Sequence, residues 1–540
     1  MTIGQKITLL RNSFDLSQEQ LADKVNVSRQ SVSKWEMDQA LPQIDKILQL
    51  CSIFGVTADE LLQDGVDIER AVKPSQTQNK YFGTDGFRGE ANVDLTSMHA
   101  YKVGRFLGWY YSSPLCKNEK SNRRAKIVIG KDTRRSSYML EYSLVAGITA
   151  SGADAYMLHV TTTPSVSYVT RQDEFDCGIM ITASHNPFYD NGIKIINRYG
   201  EKLDDETTAL IEAYLDGDLS LLGINDHDLP WATGEKIGCI VDYVSGRNRY
   251  VGYLISIASN SYKNLRIGLD CANGASWNIA KAVFGALGAQ TMVIGAEPDG
   301  TNVNLNCGST HIEKLCKLVK EHHLDVGFAF DGDADRCIAV DEKGNIADGD
   351  KMMYILAKRL KCRGMLNDDT VVATIMSNSG FIAALEDCGI NCVQTTVGDR
   401  FVYECMQEND YSLGGEQSGH IILKKYATTG DGILTAIMLA EEICDTKQKL
   451  SELSEEVTFL PQYTQNVCVK NKDAVLCDEA VLAKKEEVEN LIAKKGRVLL
   501  RRSGTEPMIR IMVEAETDTK CREYANAIAK VINERGYSVE

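Results

Sequence analysis

The sequence predicts a small all-α unit followed by a multi-domain α/β protein that ends in an α+β unit. Residues 1–64 carry short amphipathic helical patterns with helix-capping residues between them. From residue 80 onward, apolar strand patterns alternate with helical patterns, as in parallel sheets with crossover helices. The last stretch differs, because two strand patterns at 497–501 and 509–515 precede a single helix at 520–535.

Composition and length place the chain among large globular proteins. Its 540 residues predict three to four domains. Because it has no run of about 18 apolar residues, we expect no membrane span. The first ten residues have the pattern of an amphipathic helix instead of a signal peptide, which predicts a cytoplasmic location. The net charge is −16, so local positive groups must attract any anionic substrate.

The sixteen cysteines are scattered along the chain and form no small-domain disulfide framework, which favours reduced thiols. One group of thiols and imidazoles raises the question of zinc: Cys307, His311, Cys316 and His322. Its spacing matches no standard zinc pattern. We therefore interpret it as buried thiols and surface histidines.

The helical unit contains two short helices joined by a tight turn. The second helix of the unit starts in a capping box at 17–20, and the third covers 29–36 after a turn at 26–28. Val32 and Trp35 would face inward. A fourth helix runs from Pro42 to Phe54, and a fifth follows Thr57. Two short helices around a brief turn are the pattern of a helix-turn-helix.

Residues 16–22 and 27–36 resemble the Cro/phage-repressor family of DNA-binding domains. The resemblance implies that DNA contacts are made by Gln18, Arg29, Gln30, Ser31, Ser33 and Lys34. These side chains suit the task, because Gln reads adenine, and Arg and Lys meet guanine or phosphate. The alternative is a docking module, since residues 1–64 hold six Lys and Arg against nine Asp and Glu.

Residues 65–79 lose apolar periodicity and include Pro74 and a run of polar residues, which predicts a linker. Beyond it, strands are predicted at 125–129, 154–159 and 178–182, with helices at 138–152 and 165–171. Similar patterns recur around 265–287 and 371–385. The alternation predicts parallel sheets with crossover helices.

Ser184 lies on a loop directly after an apolar strand pattern, between that strand and the break at Pro187. Open α/β sheets bind ligands at this end of their strands. A serine is a weak nucleophile unless it is activated, and no Asp–His relay is visible near Ser184, so a serine hydrolase is disfavoured. A phosphate carrier fits better if the chain also supplies a divalent metal site and anion-binding groups.

Asp331, Asp333 and Asp335 follow an apolar strand pattern at 326–330. In an extended strand their side chains would stand roughly 6.6 Å apart, too far to share one ion. Gly332 and Ala334 leave room for the loop to curl until the carboxylates converge. Carboxylate oxygens suit Mg²⁺, so we expect a magnesium site here. The alternative is a solvated acidic turn.

Three further loops carry polar side chains. Residues 501–507, with Arg510 behind them, combine arginines, hydroxyls and a glycine in the manner of an anion site. The alternative there is a Ser-Gly hairpin with surface charge. A glycine-rich turn at 414–420 offers Glu416 and Ser418, and one at 81–89 offers Arg88; each is a weak indication alone.

Together these loops resemble the α-D-phosphohexomutase superfamily over residues 80–540, and within it the phosphoglucosamine mutases. The marker stretches are 81–86, 184–194, 306–311, 397–400 and 415–420. The resemblance implies four domains around a central cleft, three α/β with mixed sheets and the last α+β. Their expected extents are 80–228 with a phosphoserine loop, 229–343 with a metal loop, 344–452 with a sugar loop, and 453–540 with a phosphate-binding loop.

The resemblance also implies residue roles. Ser184 would carry a phosphoryl group, and Asp331, Asp333 and Asp335 would bind Mg²⁺ together with a phosphoserine oxygen. The other implied roles are transferring-phosphate contacts by Lys194, Arg88 and Arg336, sugar contacts by Glu416 and Ser418, and binding of the distal phosphate by Arg501, Ser503, Gly504, Thr505 and Arg510. Lys194 and His185 are the candidate general bases. One departure is Arg502, where the family usually has Pro or Ala.

The implied reaction interconverts glucosamine 6-phosphate and glucosamine 1-phosphate through a phosphoserine and a 1,6-bisphosphate. A hexosamine or glucose 1,6-bisphosphate would act as activator, and we expect a homodimer. Two alternatives remain open. The enzyme would be a phosphoglucomutase or phosphomannomutase, or the chain would be a transcription regulator that uses its mutase part to sense a sugar phosphate. The intact set of catalytic residues favours an enzyme.

Overall fold

The computed structural model describes residues 2–13, 18–25, 27–36, 38–54, 61, 80–83, 85–113, 115–116, 123–224, 227–492, 496–502 and 508–538. The chain forms two compact units, residues 1–83 and 84–540. None of the described helices is long and apolar enough to cross a membrane.

The first unit is helical, as predicted. Its elements are α1 (Ile3–Ser13), α2 (Gln18–Lys24), α3 (Arg29–Glu36), α4 (Ile44–Phe54) and the two-residue strand β1 (Phe82–Gly83). Val32 and Trp35 of α3 are buried in a core with residues of the other helices, which confirms their predicted inward direction. The fourth helix begins two residues after Pro42. The predicted capping box at residue 17, most of the predicted fifth helix and the linker lie outside the described residues.

In the second unit, the first sheet contains β2 (Gly86–Glu90), β3 (Lys126–Lys131), β4 (Asp154–Val160), β5 (Cys177–Ile181), β6 (Asp190–Asn197) and β7 (Ile240–Asp242). These strands stand in the order β2-β6-β5-β3-β4-β7. The pairs β3–β4, β3–β5 and β4–β7 are parallel, whereas β6 is antiparallel to β2 and to β5. The sheet is therefore mixed, as the family resemblance implied, whereas the alternation of strands and helices alone predicted parallel sheets.

Two more mixed sheets follow. One contains β8 (Arg266–Asp270), β9 (Gln290–Ile294), β10 (Val326–Phe330), β11 (Cys337–Asp341) and β12 (Ile346–Ala347), in the order β12-β11-β10-β8-β9. The other contains β13 (Thr370–Thr374), β14 (Asn391–Thr395), β15 (Leu413–Gly415) and β16 (Ile421–Leu423), in the order β14-β13-β15-β16. A single apolar core extends over both sheets, so they support each other directly.

The fourth sheet differs from the others because all of its strands are antiparallel. It contains β17 (Gln462–Cys468), β18 (Arg497–Arg502) and β19 (Met508–Glu514), with β19 in the centre. Helix Asp518–Glu534 packs on this sheet through buried apolar residues that include Ile528 and Ile532. The prediction of a separate α+β unit at the C-terminus is confirmed.

The helices of the second unit are Ser97–Tyr110, Arg135–Ala150, Thr163–Gln172, Asp205–Asp216, Val244–Ile257, Ser276–Ala286, Glu313–His322, Gly349–Cys362, Ser379–Asp387, Asp399–Glu408, Gly432–Thr446, Leu450–Leu453, Lys472–Leu476, Glu479–Ile492 and Asp518–Glu534. The predicted helices at 138–152 and 165–171 correspond to Arg135–Ala150 and Thr163–Gln172, with ends displaced by a few residues. Ser184 follows β5 and Asp331 follows β10, each at the C-terminal end of a strand in a parallel pair.

Candidate active site

Ser184 is buried in a loop, with only 1% of its surface exposed. Its backbone has a φ of 52°, a left-handed conformation that few non-glycine residues adopt. Its Oγ donates a hydrogen bond to Oδ2 of Asp331 over 2.5 Å and lies 3.4 Å from Nδ1 of His185. The predicted phosphate carrier and the predicted metal loop are therefore in direct contact.

The three aspartates after β10 converge, as the sequence predicted. Carboxylate oxygens of Asp331, Asp333 and Asp335 all lie within 4.8 Å of one another, and all three residues are buried. The curl is produced at Ala334, whose φ is 57°. Gly332 is also required, because a Cβ there would lie 2.5 Å from the carbonyl oxygen of Ser184. A side chain at this position would push the two loops apart.

The electrostatics of this triad favour a cation. Burial raises the pKa of Asp331 well above its usual value, and the charges of Asp335 and Asp333 raise it further. Within the described residues, Oδ1 of Asp333 is buried and has no hydrogen-bond partner. Three buried carboxylates without a soft ligand among them form a donor set that suits a hard divalent metal such as Mg²⁺.

Lys194 lies beside the triad. Its Nζ is 2.9 Å from Asp333, 3.0 Å from Asp335 and 3.0 Å from Asp85. Burial alone would lower the pKa of Lys194, but these carboxylates raise it well above its usual value. Lys194 is therefore a fixed ammonium at neutral pH, suited to meet phosphate oxygens and unsuited to accept a proton.

His185 has the opposite electrostatic environment. Burial, together with the charge of Arg336, lowers the pKa of His185 to about 4. Nη1 of Arg336 lies 2.8 Å from Nδ1 of His185, so the imidazole accepts this hydrogen bond. Of the two candidate bases, only His185 is unprotonated at neutral pH.

A network of ionic side chains extends from the triad toward the sugar loop, and the sequence did not assign it a role. Lys202 lies 2.8 Å from Asp85 and 2.7 Å from Asp399, and His420 lies 3.5 Å from Asp399. Burial would lower the pKa of His420, but Asp399 and Asp335 raise it to about 9. Arg88 is also tied to this network through its ion pair with Asp85. The marker stretches at 397–400 and 415–420 contained two of these residues.

The predicted sugar-contact residues lie between β15 and β16. Oε1 of Glu416 accepts a hydrogen bond from the backbone of Gly398 over 3.1 Å, and Ser418 is exposed. Nε2 of Gln417 donates to Asp348 over 3.2 Å. The loop thus holds Glu416 and leaves Ser418 open to a ligand.

Arg501 and Arg510 occupy directly opposite positions on β18 and β19. Burial and the charge of Arg510 lower the pKa of Arg501. Like charges directly opposite each other destabilise a strand pair, so the pair favours an anion between them. Ser503, Gly504 and Thr505 lie outside the described residues.

In the helical unit, the predicted DNA-contact residues of α3 lie on its outer side. Arg29, Gln30 and Lys34 are exposed, and Ser31 and Ser33 are half-buried. Gln18 is differently placed, because its Nε2 donates to Glu36 over 2.7 Å. Glu36 is also paired with Arg11 over 2.5 Å, so the Gln18 amide helps to join α2 to α3 and α1.

Family models match nearly all of the chain. Models for domains I to IV of the phosphoglucomutase/phosphomannomutase family match residues 79–220, 248–344, 348–459 and 465–531. A helix-turn-helix model matches residues 7–61.

Similar proteins give the same result. The chain is 59% identical over 460 residues to a phosphoglucosamine mutase of Lachnospira eligens, a match that covers 85% of this chain and 100% of the relative. It is 48% identical to the phosphoglucosamine mutase of Bacillus subtilis over 84% of this chain and 98% of that protein. A phosphoglucomutase/phosphomannomutase family protein from Burkholderia thailandensis has the same fold, with a TM-score of 0.69 at 22% identity over 85% of this chain and 98% of that one. The chain therefore belongs to the phosphoglucosamine mutases of the α-D-phosphohexomutase superfamily, with an additional helix-turn-helix domain at its N-terminus.

Proposed function

We propose that the protein interconverts glucosamine 6-phosphate and glucosamine 1-phosphate by passing a phosphoryl group through Ser184. The observation that carries the proposal is the 2.5 Å hydrogen bond from Ser184 to Asp331. It places an otherwise ordinary hydroxyl inside a group of carboxylates, beside the fixed ammonium of Lys194. A serine hydrolase has no use for that arrangement, whereas a phosphate carrier needs both a metal site and cations.

The residues present fit a divalent metal. Asp331, Asp333 and Asp335 would hold Mg²⁺, and the buried Oδ1 of Asp333 is an oxygen available to it among the described residues. When bound, Mg²⁺ neutralises charge on the phosphoserine and on the transferring phosphoryl oxygens. A phosphoserine at 184 carries nearly two negative charges near neutral pH, so nearby cations matter as well. Lys194, Arg88 and Arg336 would supply them.

The distal phosphate of the substrate binds, in this proposal, at Arg501 and Arg510, with Ser503, Gly504 and Thr505 of the same loop. Glu416 and Ser418 contact the sugar between the two ends. The C1 hydroxyl attacks phosphorus, the bond from phosphorus to Oγ of Ser184 breaks, and the hydroxyl proton passes to neutral His185 and on to Oγ. The product of this half-reaction is a hexosamine 1,6-bisphosphate.

The bisphosphate then turns over in the cleft and returns its 6-phosphate to Ser184, which releases glucosamine 1-phosphate. The distal site must therefore accept either end of the sugar. Two arginines on neighbouring strands meet this demand, because they recognise phosphate oxygens and make little use of ring shape. A trace of 1,6-bisphosphate acts as activator, because it phosphorylates any enzyme whose Ser184 has lost its phosphate.

The substrate preference is tested by comparing rates. Purified protein with Mg²⁺ and a trace of hexose 1,6-bisphosphate should convert glucosamine phosphates faster than glucose or mannose phosphates. Equal or better rates on glucose phosphates would overturn the substrate assignment in favour of a phosphoglucomutase. Activity on none of these substrates would favour the alternative of a regulator that only senses a sugar phosphate.

We further propose that residues 1–64 bind DNA through α3. The support is the exposed polar side of this helix, which presents Arg29, Gln30 and Lys34 above a core that contains Val32 and Trp35. A pull-down with genomic fragments tests the proposal. Affinity no better than the non-specific level of about 10⁻⁴–10⁻⁶ M would leave a docking module as the function of this unit.

A further inference from the structure

We infer that Arg134 and Asn304 are positioning residues that together hold the Ser184 loop in its left-handed conformation. We call them the Arg134–Asn304 clamp. The inference rests on the proposed function of Ser184 as phosphate carrier, and it adds two residues that the catalytic roles described above do not include. Arg134 directly precedes helix Arg135–Ala150, and Asn304 lies between β9 and helix Glu313–His322.

Arg134 is fully buried, and all of its guanidinium N–H groups have acceptors. Nη2 donates to the carbonyl oxygens of Ser184 over 2.9 Å and Asn186 over 2.8 Å. Nη1 donates to the carbonyl of Asp190 over 2.9 Å and also to that of Pro187. Nε donates to Oδ2 of Asp132, over 2.7 Å. A guanidinium that is saturated in this way has no N–H left for a phosphate, so its role is to fix the loop.

Asn304 contacts the same two carbonyl groups. Its Nδ2 donates to the carbonyl oxygen of Ser184 over 2.9 Å and to that of Asn186 over 3.2 Å. Arg134 comes from the first sheet's domain, whereas Asn304 follows β9 of the second sheet. The clamp therefore also connects the serine loop to the part of the chain that carries the carboxylate triad.

Asp132 orients the clamp. Its carboxylate is fully buried and accepts hydrogen bonds from the guanidinium of Arg134 and from the hydroxyls of Thr182 and Ser137, over 2.7 to 2.8 Å. A buried ion pair with this many partners has one well-defined geometry. The Asp132–Arg134 ion pair acts on Ser184, whose φ is 52°. This backbone conformation costs free energy and persists only where the surrounding structure imposes it.

The clamp fixes the direction of the Ser184 side chain. The hydrogen bond of 2.5 Å from Oγ of Ser184 to Asp331 forms only while the loop backbone keeps this conformation. A displacement of about 1 Å at a reacting atom costs up to about 100-fold in rate. Loss of the clamp should therefore slow phosphoryl transfer and leave the distal phosphate contacts at Arg501 and Arg510 unchanged.

The test uses two clamp variants, each with a matched control. Asn304→Gly removes the amide and tolerates the φ of 58° at this position, and Asn306→Gly makes the same change at an exposed neighbour with a φ of 52°. Arg134→Lys replaces the guanidinium, with its five N–H groups, by an ammonium group. Its control, Arg105→Lys, makes the same change at another fully buried arginine, which donates to Leu229 over 2.6 Å. We expect both clamp variants to lower kcat by about 10- to 100-fold with KM within about twofold of wild type, and the controls to keep wild-type kcat.

Hydrogen exchange of the backbone amides at 184–190 gives a readout that does not depend on turnover. We expect exchange to be at least about fivefold faster in Asn304→Gly and Arg134→Lys than in their controls. Each clamp variant loses a hydrogen bond to a loop carbonyl group, which contributes about 1 kcal/mol to the stability of the loop. Unchanged exchange in Asn304→Gly would overturn the inference, as would a kcat equal to that of Asn306→Gly. If the wild-type protein converts no hexose phosphate, the proposed function fails, and the exchange result still decides whether the clamp exists.

Discussion

Arg501 and Arg510 face each other across β18 and β19 as a directly opposed pair of positive charges. In the absence of an anion such a pair costs stability, by about 0.2–1 kcal/mol. We propose that the pair binds an anion, namely the phosphate of the substrate that does not react.

Arg510→Gln should weaken substrate binding. We expect KM for glucosamine 6-phosphate to rise by about 10- to 100-fold, because a charge-assisted hydrogen bond to phosphate is lost. Arg502→Gln is the matched control, since successive side chains of a strand point to opposite faces. An equal rise of KM in both variants would contradict the assignment.

Metal removal tests the aspartate triad. A chelator should abolish turnover, and added Mg²⁺ should restore it. Asp333→Asn should lower the Mg²⁺ affinity measured by calorimetry by more than about tenfold. The loss of a residue that merely contacts a metal ligand already lowers metal affinity by about tenfold or more. The control is Asp341→Asn, which changes a buried aspartate at the C-terminal end of β11 and should leave the Mg²⁺ affinity unchanged. Wild-type affinity in Asp333→Asn would exclude this residue as a ligand.

Asp350 predicts a pH dependence of stability. Burial, together with the charge of Asp348, raises the pKa of Asp350 to about 7. The folded state therefore holds this proton more tightly than the unfolded chain does, and the resulting stability is lost as pH rises from about 4 through about 7.

Asp350→Asn removes that titration but keeps an acceptor for the backbone N–H of Asn378, which now donates to Asp350 over 2.7 Å. Between pH 5 and pH 8, the free energy of unfolding of the variant should gain about 2–3 kcal/mol relative to wild type. Chemical denaturation at several pH values measures this difference. A difference that does not change with pH would show that Asp350 has an ordinary pKa in the folded protein.

The α3 side chains predict two different effects on DNA binding. Gln30→Ala should weaken DNA binding by about 1–3 kcal/mol, and it should relax the preference for one base at the position that Gln30 contacts. Lys34→Ala should weaken binding to all sequences about equally and reduce its salt dependence. Fluorescence anisotropy on fragments from the pull-down distinguishes them. If neither change alters binding, α3 is not the recognition helix.

Much of the fold was predictable because its patterns are local. The period of the apolar residues and the caps identified α3 and the strands before Ser184 and Asp331, with errors only at element ends. The convergence of the three aspartates was also predictable, since the small residues Gly332 and Ala334 leave room for the loop to curl. Here the left-handed φ of Ala334 supplied the curl.

The ionic network was not predictable in the same way. Lys202 is distant along the chain from Asp399 and His420, and only the packing of different sheets brings it to Asp399. The saturation of Arg134 is a similar case, because its acceptors are backbone carbonyls that carry no residue-specific pattern. The pKa of Lys194 also depends on which carboxylates surround it, so its protonation had to come from the structure.

The most direct measurement is the site of phosphorylation. Protein incubated with Mg²⁺ and isotopically labelled glucosamine 1,6-bisphosphate should carry the label on the peptide that contains Ser184. Ser184→Ala should take up no label and lose at least about 1,000-fold in kcat, as expected when a covalent intermediate is removed. Label on a different residue, or turnover by Ser184→Ala within about tenfold of wild type, would contradict the account.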